Sequence, residues 1–189
     1  MRFFVAFEIP EQNKPQFKVL QNNVCQLLPD LRPTNQEKLH LTLAFIGDQL
    51  PEVKPDLIEV LKIAAKQIAP FQITPAYIDG FPNIHNPRII WTGIKGDIDK
   101  IIIIRERIKD GLAQLHLDTD PRRFIPHITI GKFNENKLID LTIEEQLQSF
   151  MHNTFAPIQI NAIKLFESIP QGGLHKHNTL AEINLTKRE

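Results

Sequence analysis

The chain has 189 residues, 42% hydrophobic and 23% charged, with 22 lysines and arginines against 22 aspartates and glutamates. That length and composition bury a full core as one large domain or two small lobes and exclude dominant disorder; the balanced charge excludes a sequence-independent grip on nucleic acid through a basic surplus. Cys25 is the only cysteine, which leaves no disulfide framework and no cysteine metal site within one chain, and no apolar run reaches transmembrane length. The opening Met1 to Glu8 is too short and too soon charged for a signal peptide, so a cytoplasmic location is expected.

In chain order, Phe3 to Ile9 is rich in aromatic and branched residues and stops at Pro10, which predicts a strand. Phe17, Leu20, Val24, Leu27 and Leu28 recur at helical spacing, with Cys25 a small core residue among them. Asp30 to Gln36 is a loop, Lys38 to Ile46 a strand, and Gly47-Asp48 a turn. Leu57, Leu61, Ala64, Ala65 and Ile68 mark a second helix, with Pro55 near its start. Phe71 to Ile78 and Arg88 to Ile94 read as strands around a loop holding a solvated His85. A third helix follows Asp97 as its cap and runs through Ile101, Ile104, Ile108, Leu112 and Leu115.

Beyond a polar loop from His116 to Phe124, with Arg122 and Arg123, Pro126 opens another strand. Thr142-Ile143-Glu144-Glu145 has the form of a capping box for a short helix carrying Leu147, Phe150 and Met151. That helix ends near His152, with Asn153 in a left-handed conformation. Ala156 to Phe166 is a strand, Ser168 to Lys176 with Gly172-Gly173 a flexible loop, and Asn178 to Leu185 a last strand. No linker divides the chain, so residues 1–189 are expected to form a single two-lobed domain.

Two stretches organise this pattern, Leu39-His40-Leu41-Thr42-Leu43-Ala44-Phe45 and Pro126-His127-Ile128-Thr129-Ile130-Gly131. Strict strand alternation sets His40, Thr42 and Ala44 opposite Leu39, Leu41, Leu43 and Phe45, and sets His127, Thr129 and Gly131 opposite Ile128 and Ile130. An imidazole and a hydroxyl two residues apart stand roughly 6.5 Å apart along a strand, close enough to serve one tetrahedral anion. His-x-Thr also occurs at His152-Asn153-Thr154 and His177-Asn178-Thr179, without an apolar middle residue. Two histidines without a nearby carboxylate or cysteine fall short of a zinc ligand set, so no metal is expected.

The order strand, helix, His-strand, helix occurs near the start and again after Arg88. This duplication predicts an α+β, bilobal fold: two mainly antiparallel sheets facing each other across a central cleft, helices outside, and the two histidines on opposite sides of a bound group.

Arg2-Phe3-Phe4-Val5-Ala6-Phe7-Glu8-Ile9-Pro10, Leu39 to Gly47, Ile90-Trp91-Thr92-Gly93 and Pro126 to Gly131 together resemble the RNA 2′,3′-cyclic phosphodiesterases, or 2′-5′ RNA ligase family, of the two-histidine phosphoesterase superfamily. The resemblance runs from Arg2 to about Leu180. It implies cofactor-free hydrolysis of a terminal 2′,3′-cyclic phosphate to a 2′-phosphomonoester, with His40 as proton donor and His127 as proton acceptor. The expected partners are RNA 3′ ends or small nucleotides bearing such a phosphate, met by a monomer with no membrane association.

Residue chemistry agrees. In-line displacement at phosphorus needs one imidazole to take the water's proton and another, protonated, to supply the leaving oxygen. Thr42 and Thr129 can donate to the non-bridging oxygens, and Lys132 adds positive charge. With ordinary histidine acidities, activity should peak close to neutrality. Two positions depart from the family: Lys132 stands where an arginine is common, losing the bidentate fork, and His177-Asn178-Thr179-Leu180 replaces a Tyr-x-x-Leu, so His177 is a candidate cleft residue. The same histidines would serve an RNA ligase joining a 2′,3′-cyclic end to a 5′-hydroxyl, whereas a non-catalytic RNA-end-binding module would not need both.

Overall fold

A computed structural model of the chain describes residues 1–117, 121–171 and 174–187. The chain begins with β1 (Arg2–Glu8), whose five successive apolar residues Phe3 to Phe7 are all buried, as expected of a strand covered on both faces. Helix α1 (Lys14–Leu27) has Pro15 in its first turn and buries Phe17, Leu20 and Val24. The two-residue strand β2 (Arg32–Pro33) and a 3-10 turn at Gln36–Lys38 lead into β3 (His40–Asp48). Then come α2 (Lys54–Ala65), β4 (Phe71–Phe81), β5 (Ile89–Gly96), α3 (Ile98–Gln114) and β6 (His127–Lys132). The chain closes with α4 (Leu141–Ser149), β7 (Ile158–Ile160), β8 (Ala162–Gln171) and β9 (Leu174–Asn184).

The strands lie in the order β7-β4-β5-β6-β3-β1-β8-β9, with β2 on β6, and every pairing is antiparallel. This order reads the same from both ends in terms of the duplication: each His-strand is central, the first strand of its repeat flanks it, and two further strands lie outside. The two expected sheets are thus the halves of one array. They join at a single pair, Leu41 with Ile128. Beyond it the free edge of β6 pairs with β2, Arg32 with Lys132 and Pro33 with Gly131, so β3 and β6 part where β2 enters. One buried apolar cluster takes residues from both halves, from Phe3 to Leu185.

Several local expectations are corrected. Asp140, not Thr142, caps α4: its carboxylate accepts from the Ile143 amide at 2.9 Å, a better-placed acceptor one residue before the helix. Asp97 precedes α3 without a side-chain cap, because its carboxylate accepts from the Gln72 amide and pairs with Lys100. Asn153 is extended, φ −68° and ψ 149°, since the chain leaves through a 3-10 turn at Phe150–His152. The single strand expected over Ala156 to Phe166 is two, broken at Asn161: β7 joins β4 in one half and β8 joins β1 in the other. Most of the loop expected over Ser168 to Lys176 is hairpin, with Ser168 paired to His177 and Gln171 to Leu174; Gly172-Gly173 lie outside the described residues, as do 118–120 of the polar loop.

The correction that matters most concerns the two motifs. Along β3, Ala6 pairs with Thr42 but Val5 pairs with Ala44, leaving Leu43 as an extra residue; along β6, Trp91 pairs with Thr129 but Ile90 pairs with Gly131, leaving Ile130 extra. A bulge of this kind shifts the alternation by one residue. Ala44 therefore turns to the core, 5% exposed, and Phe45 to the opposite face, 54% exposed, reversing the expected assignment. Gly131 likewise turns inward and Lys132 outward, onto the face of His127 and Thr129.

A Cβ on Gly131 would lie 2.8 Å from the Arg32 carbonyl oxygen and 2.8 Å from Leu31 Cγ, so the residue lets β2 approach β6. Gly131→Ala should destabilise the fold by about 1–3 kcal/mol, as overpacking does. The measurement is the urea midpoint at constant m-value; an unchanged midpoint would mean that β2 is not held by this contact.

Candidate active site

His40 and His127 each begin their strand, and each is held in the same way. His40 Nδ1 lies 2.6 Å from the Lys38 carbonyl oxygen and His127 Nδ1 lies 2.7 Å from that of Ile125, in both cases two residues back along the chain. A carbonyl only accepts, so each Nδ1 carries a proton and each Nε2 is left as the working nitrogen. Extending the Leu41–Ile128 register by one residue each way brings His40 level with Thr129, and Thr42 level with His127. The structure thus brings both histidines and both threonines to one face at the junction of the half-sheets.

Aromatic rings surround the imidazoles. His40 lies 5.3 Å from Phe4, and His177 stands edge-on to Phe4 at 4.8 Å and to His40 at 5.5 Å, ring centre to ring centre. Phe166 stacks on Phe4 at 5.0 Å. On the other half, His127 meets Phe81 at 5.0 Å and Trp91 at 5.4 Å. His177, on β9, is therefore beside His40. A small cavity of about 50 Å³ opens there against Glu8, Lys38, His40, Phe166, His177 and Thr179. Beneath it Lys164 bridges Glu8 and, at 3.2 Å, Glu182. A larger hollow of about 320 Å³, against Arg2, Asp48 and Ser168, holds none of the expected site residues.

The other histidines stay outside. His85 is exposed with Nδ1 3.5 Å from Glu144 Oε2, His175 Nδ1 lies 3.0 Å from Ser168 Oγ, and His116 and His152 are exposed. Phe4, Phe81 and Phe166 were missed as site residues. The unbroken apolar run of β1 was the available signal for Phe4, since such a run requires cover on both faces. Among the described residues no group of three or more His, Cys, Asp or Glu is arranged to hold a metal ion, and no helix is long and apolar enough to cross a membrane.

The sequence model of the 2'-5' RNA ligase superfamily matches residues 9–168. The chain belongs to this superfamily. Among similar proteins, the RNA 2',3'-cyclic phosphodiesterase of Archaeoglobus fulgidus is 24% identical over 178 residues, covering 93% of this chain and 97% of that protein. The one from Geobacillus stearothermophilus is 29% identical over 130 residues, 69% of this chain, and the match spans only 41% of that longer relative. Among solved structures, TT0787 of Thermus thermophilus superposes with a TM-score of 0.80 at 20% identity, covering 100% of both chains. LigT of E. coli complexed with 3'-AMP gives 0.76 at 20% identity, covering 98% of both. The α+β fold, an antiparallel sheet with four α-helices among the described residues, is that of these two solved structures.

Electrostatically, this superfamily member treats its two motif histidines unequally. Burial pushes His40 down to about 4; the Lys38 carbonyl works against that shift, and His177, His127 and Lys132 add to it. Burial also lowers His127, with the Ile125 carbonyl in opposition, and lowers His177, where Lys38, His175 and Lys132 contribute. Lys132 thus acts on both His40 and His177, as its position after the bulge requires. Lys164 is held above the usual range: burial opposes its charge, but the hydrogen bonds and charges of Glu8 and Glu182 outweigh burial.

These shifts have a stability consequence with a definite sign. Below the ordinary histidine value of about 6.5 the unfolded chain takes up a proton that folded His40 refuses until about pH 4, so stability is present above that window and lost as pH falls through it. His40 alone should account for about 2 kcal/mol lost between pH 7.5 and 5. Urea unfolding of the wild type and His40→Asn at both pH values measures it; equal pH dependence in the two proteins would show that His40 is not buried neutral.

Proposed function

We propose that the chain hydrolyses terminal 2′,3′-cyclic phosphates of RNA or small nucleotides to 2′-phosphomonoesters, without a metal, using His127 as general base and His40 as general acid. The observation that carries this reading is the matched pair of imidazoles, each tied through Nδ1 to a carbonyl and each leaving Nε2 for proton transfer. Relatives named RNA 2',3'-cyclic phosphodiesterase support it. The acting unit on this reading is the whole 189-residue chain, as a two-lobed cytoplasmic monomer.

In the proposed reaction water attacks phosphorus opposite the 3′-oxygen and gives its proton to His127 Nε2. The bond from phosphorus to the 3′-oxygen breaks, that oxygen takes the proton of His40 Nε2, and the phosphate remains on the 2′-oxygen. Thr42 and Thr129 donate to the non-bridging oxygens, Lys132 supplies positive charge, and His177 borders the nucleotide beside His40.

His40→Ala and His127→Ala should each lower turnover of a 2′,3′-cyclic nucleotide by about 10²–10⁴-fold while retaining the native circular dichroism spectrum. Thr42→Val and Thr129→Val should cost less. Phosphorus NMR should show a 2′-phosphate product, and dialysis against chelator should leave the rate unchanged. Near-normal turnover by His127→Ala, or a chelated enzyme revived by zinc, would end this reading.

The pH dependence follows from the burial of both imidazoles. With both lowered in the free protein, the singly protonated pair is populated on the acid side of 6.5, and the optimum of kcat/KM should lie there rather than at neutrality. A bound phosphodiester anion favours the charged imidazole, so the profile of kcat should sit at higher pH and binding at pH 7 should take up protons. Calorimetry in buffers of different ionisation enthalpy measures that uptake; binding with no proton exchange would contradict it.

A further inference from the structure

One buried polar side chain ties β6 to the turn that leads into β3. Gln21, on the buried face of α1, is 1% exposed and all of its hydrogen-bonding groups toward the strands are engaged. Its Nε2 donates to the Ile130 carbonyl at 2.8 Å and to the Thr34 carbonyl at 2.7 Å, and its Oε1 accepts from Gln36 Nε2. Ile130 is the extra residue of the β6 bulge, out of the ladder with β5. Its carbonyl also receives the Thr34 amide at 2.8 Å, so both acceptor sites of the bulged residue are filled from this one side. Gln36 begins the 3-10 turn whose last residue, Lys38, presents the carbonyl that holds His40 Nδ1.

We infer that Gln21 is a positioning residue for the cleft: its single amide fixes the Ile130 bulge, which aims Lys132, and braces the turn that orients His40. This rests on the proposed roles of His40, His127 and Lys132. The bulge determines whether Lys132 faces the phosphate or the core, because pairing Ile130 into a regular ladder would turn Gly131 to the cleft face and Lys132 to the core. Without Gln21 the Ile130 carbonyl keeps only the Thr34 amide and the Thr34 carbonyl loses its Gln21 donor, and the movement of either group toward a new partner displaces the bulge. At the other end, a slackened Gln36–Lys38 turn lets the His40 ring rotate about the bond that sets its tautomer and direction. The amide therefore acts on phosphate affinity through one end and on proton transfer through the other.

The experiment compares kcat and KM for a small 2′,3′-cyclic nucleotide in Gln21→Met, Lys132→Met, the double variant and His127→Ala. Met keeps the length and apolar packing of Gln21 and removes its hydrogen bonds. Gln21→Met should lose about 10- to 10²-fold in kcat/KM, the scale of a small misplacement of reacting groups, with KM raised and kcat lowered. In the Lys132→Met background the KM part should vanish while the fall in kcat persists, a split that general loss of stability does not produce. Wild-type kcat/KM in a folded Gln21→Met, or a KM effect independent of Lys132, overturns the inference. Should Gln21→Met fail to fold, Gln36→Met, on a half-buried turn residue, decides: lowered kcat with unchanged KM supports the bridge and wild-type kcat overturns it. An active His127→Ala overturns the proposed function and this inference together, whereas an inactive one beside an unperturbed Gln21→Met overturns the inference alone.

Discussion

The hydrogen bond from each motif imidazole to the carbonyl two residues behind it is the constraint on which the site depends. It decides the tautomer, and with it which nitrogen reaches the cleft; a ring turned over would aim a protonated nitrogen at the wrong partner. The bond exists because each strand starts at its histidine. Lys38 lies in a 3-10 turn and Ile125 in a loop, so neither carbonyl is claimed by a strand ladder and both are free to accept from a side chain. The turn before His40 is itself secured, with Asn35 accepting the Glu37 amide and Leu39 donating to the Gln36 carbonyl. The approach to His127 is packed by Phe124, over which the Arg105 guanidinium lies at 5.5 Å. Geometry at the imidazole is thus set by short-range chain events just outside the strand.

Much of this could be read from residue order because the motif is local. Alternation holds from Leu39 to Thr42 and from Pro126 to Thr129, and those residues face where alternation sends them. It fails two residues later in both repeats, at Ala44 and Gly131, since nothing about Leu43 or Ile130 distinguishes an extra residue from a paired one. A bulge is fixed by what lies across the ladder and behind it: β1 and β5 on one side, Gln21 and the Thr34 amide on the other. Helix α1 was legible from Phe17, Leu20 and Val24, yet Gln21 occupies the same stripe, and burial of its amide called for partners. The break at Asn161, which sends one apparent strand to both halves of the sheet, depends on which edges are open and is invisible in a window of ten residues.

The mirrored strand order gives both repeats the same scaffold, with equivalent bulges, equivalent anchors and a threonine after each histidine. A symmetric scaffold alone would make two identical imidazoles. The proposed mechanism needs one charged and one neutral, and the difference between them comes from neighbours the duplication does not share. His40 is the more deeply shielded and stands near His177 and Lys132; His127 stands against Phe81 and Trp91, which pack on each other. Divergence of the flanking strands, more than of the motifs, separates the two environments.

The direction of that difference bears on how the reaction is primed. His40, proposed as the acid, is pushed down to about 4 by burial, so its neutral form predominates at neutral pH. An anion at the junction of the half-sheets would reverse the balance, since an opposite charge within about 4–6 Å favours the protonated ring. The acid would then be created by the substrate: the phosphodiester charge offsets burial, the Lys38 carbonyl already favours the imidazolium, and the proton enters with the ligand. Lys132 works in the opposite sense on His40, favouring the neutral ring while attracting the phosphate. In this arrangement burial of an anchored imidazole among aromatic rings sets the low basicity of the free site, and the charge of a bound anion is what offsets it in the occupied one.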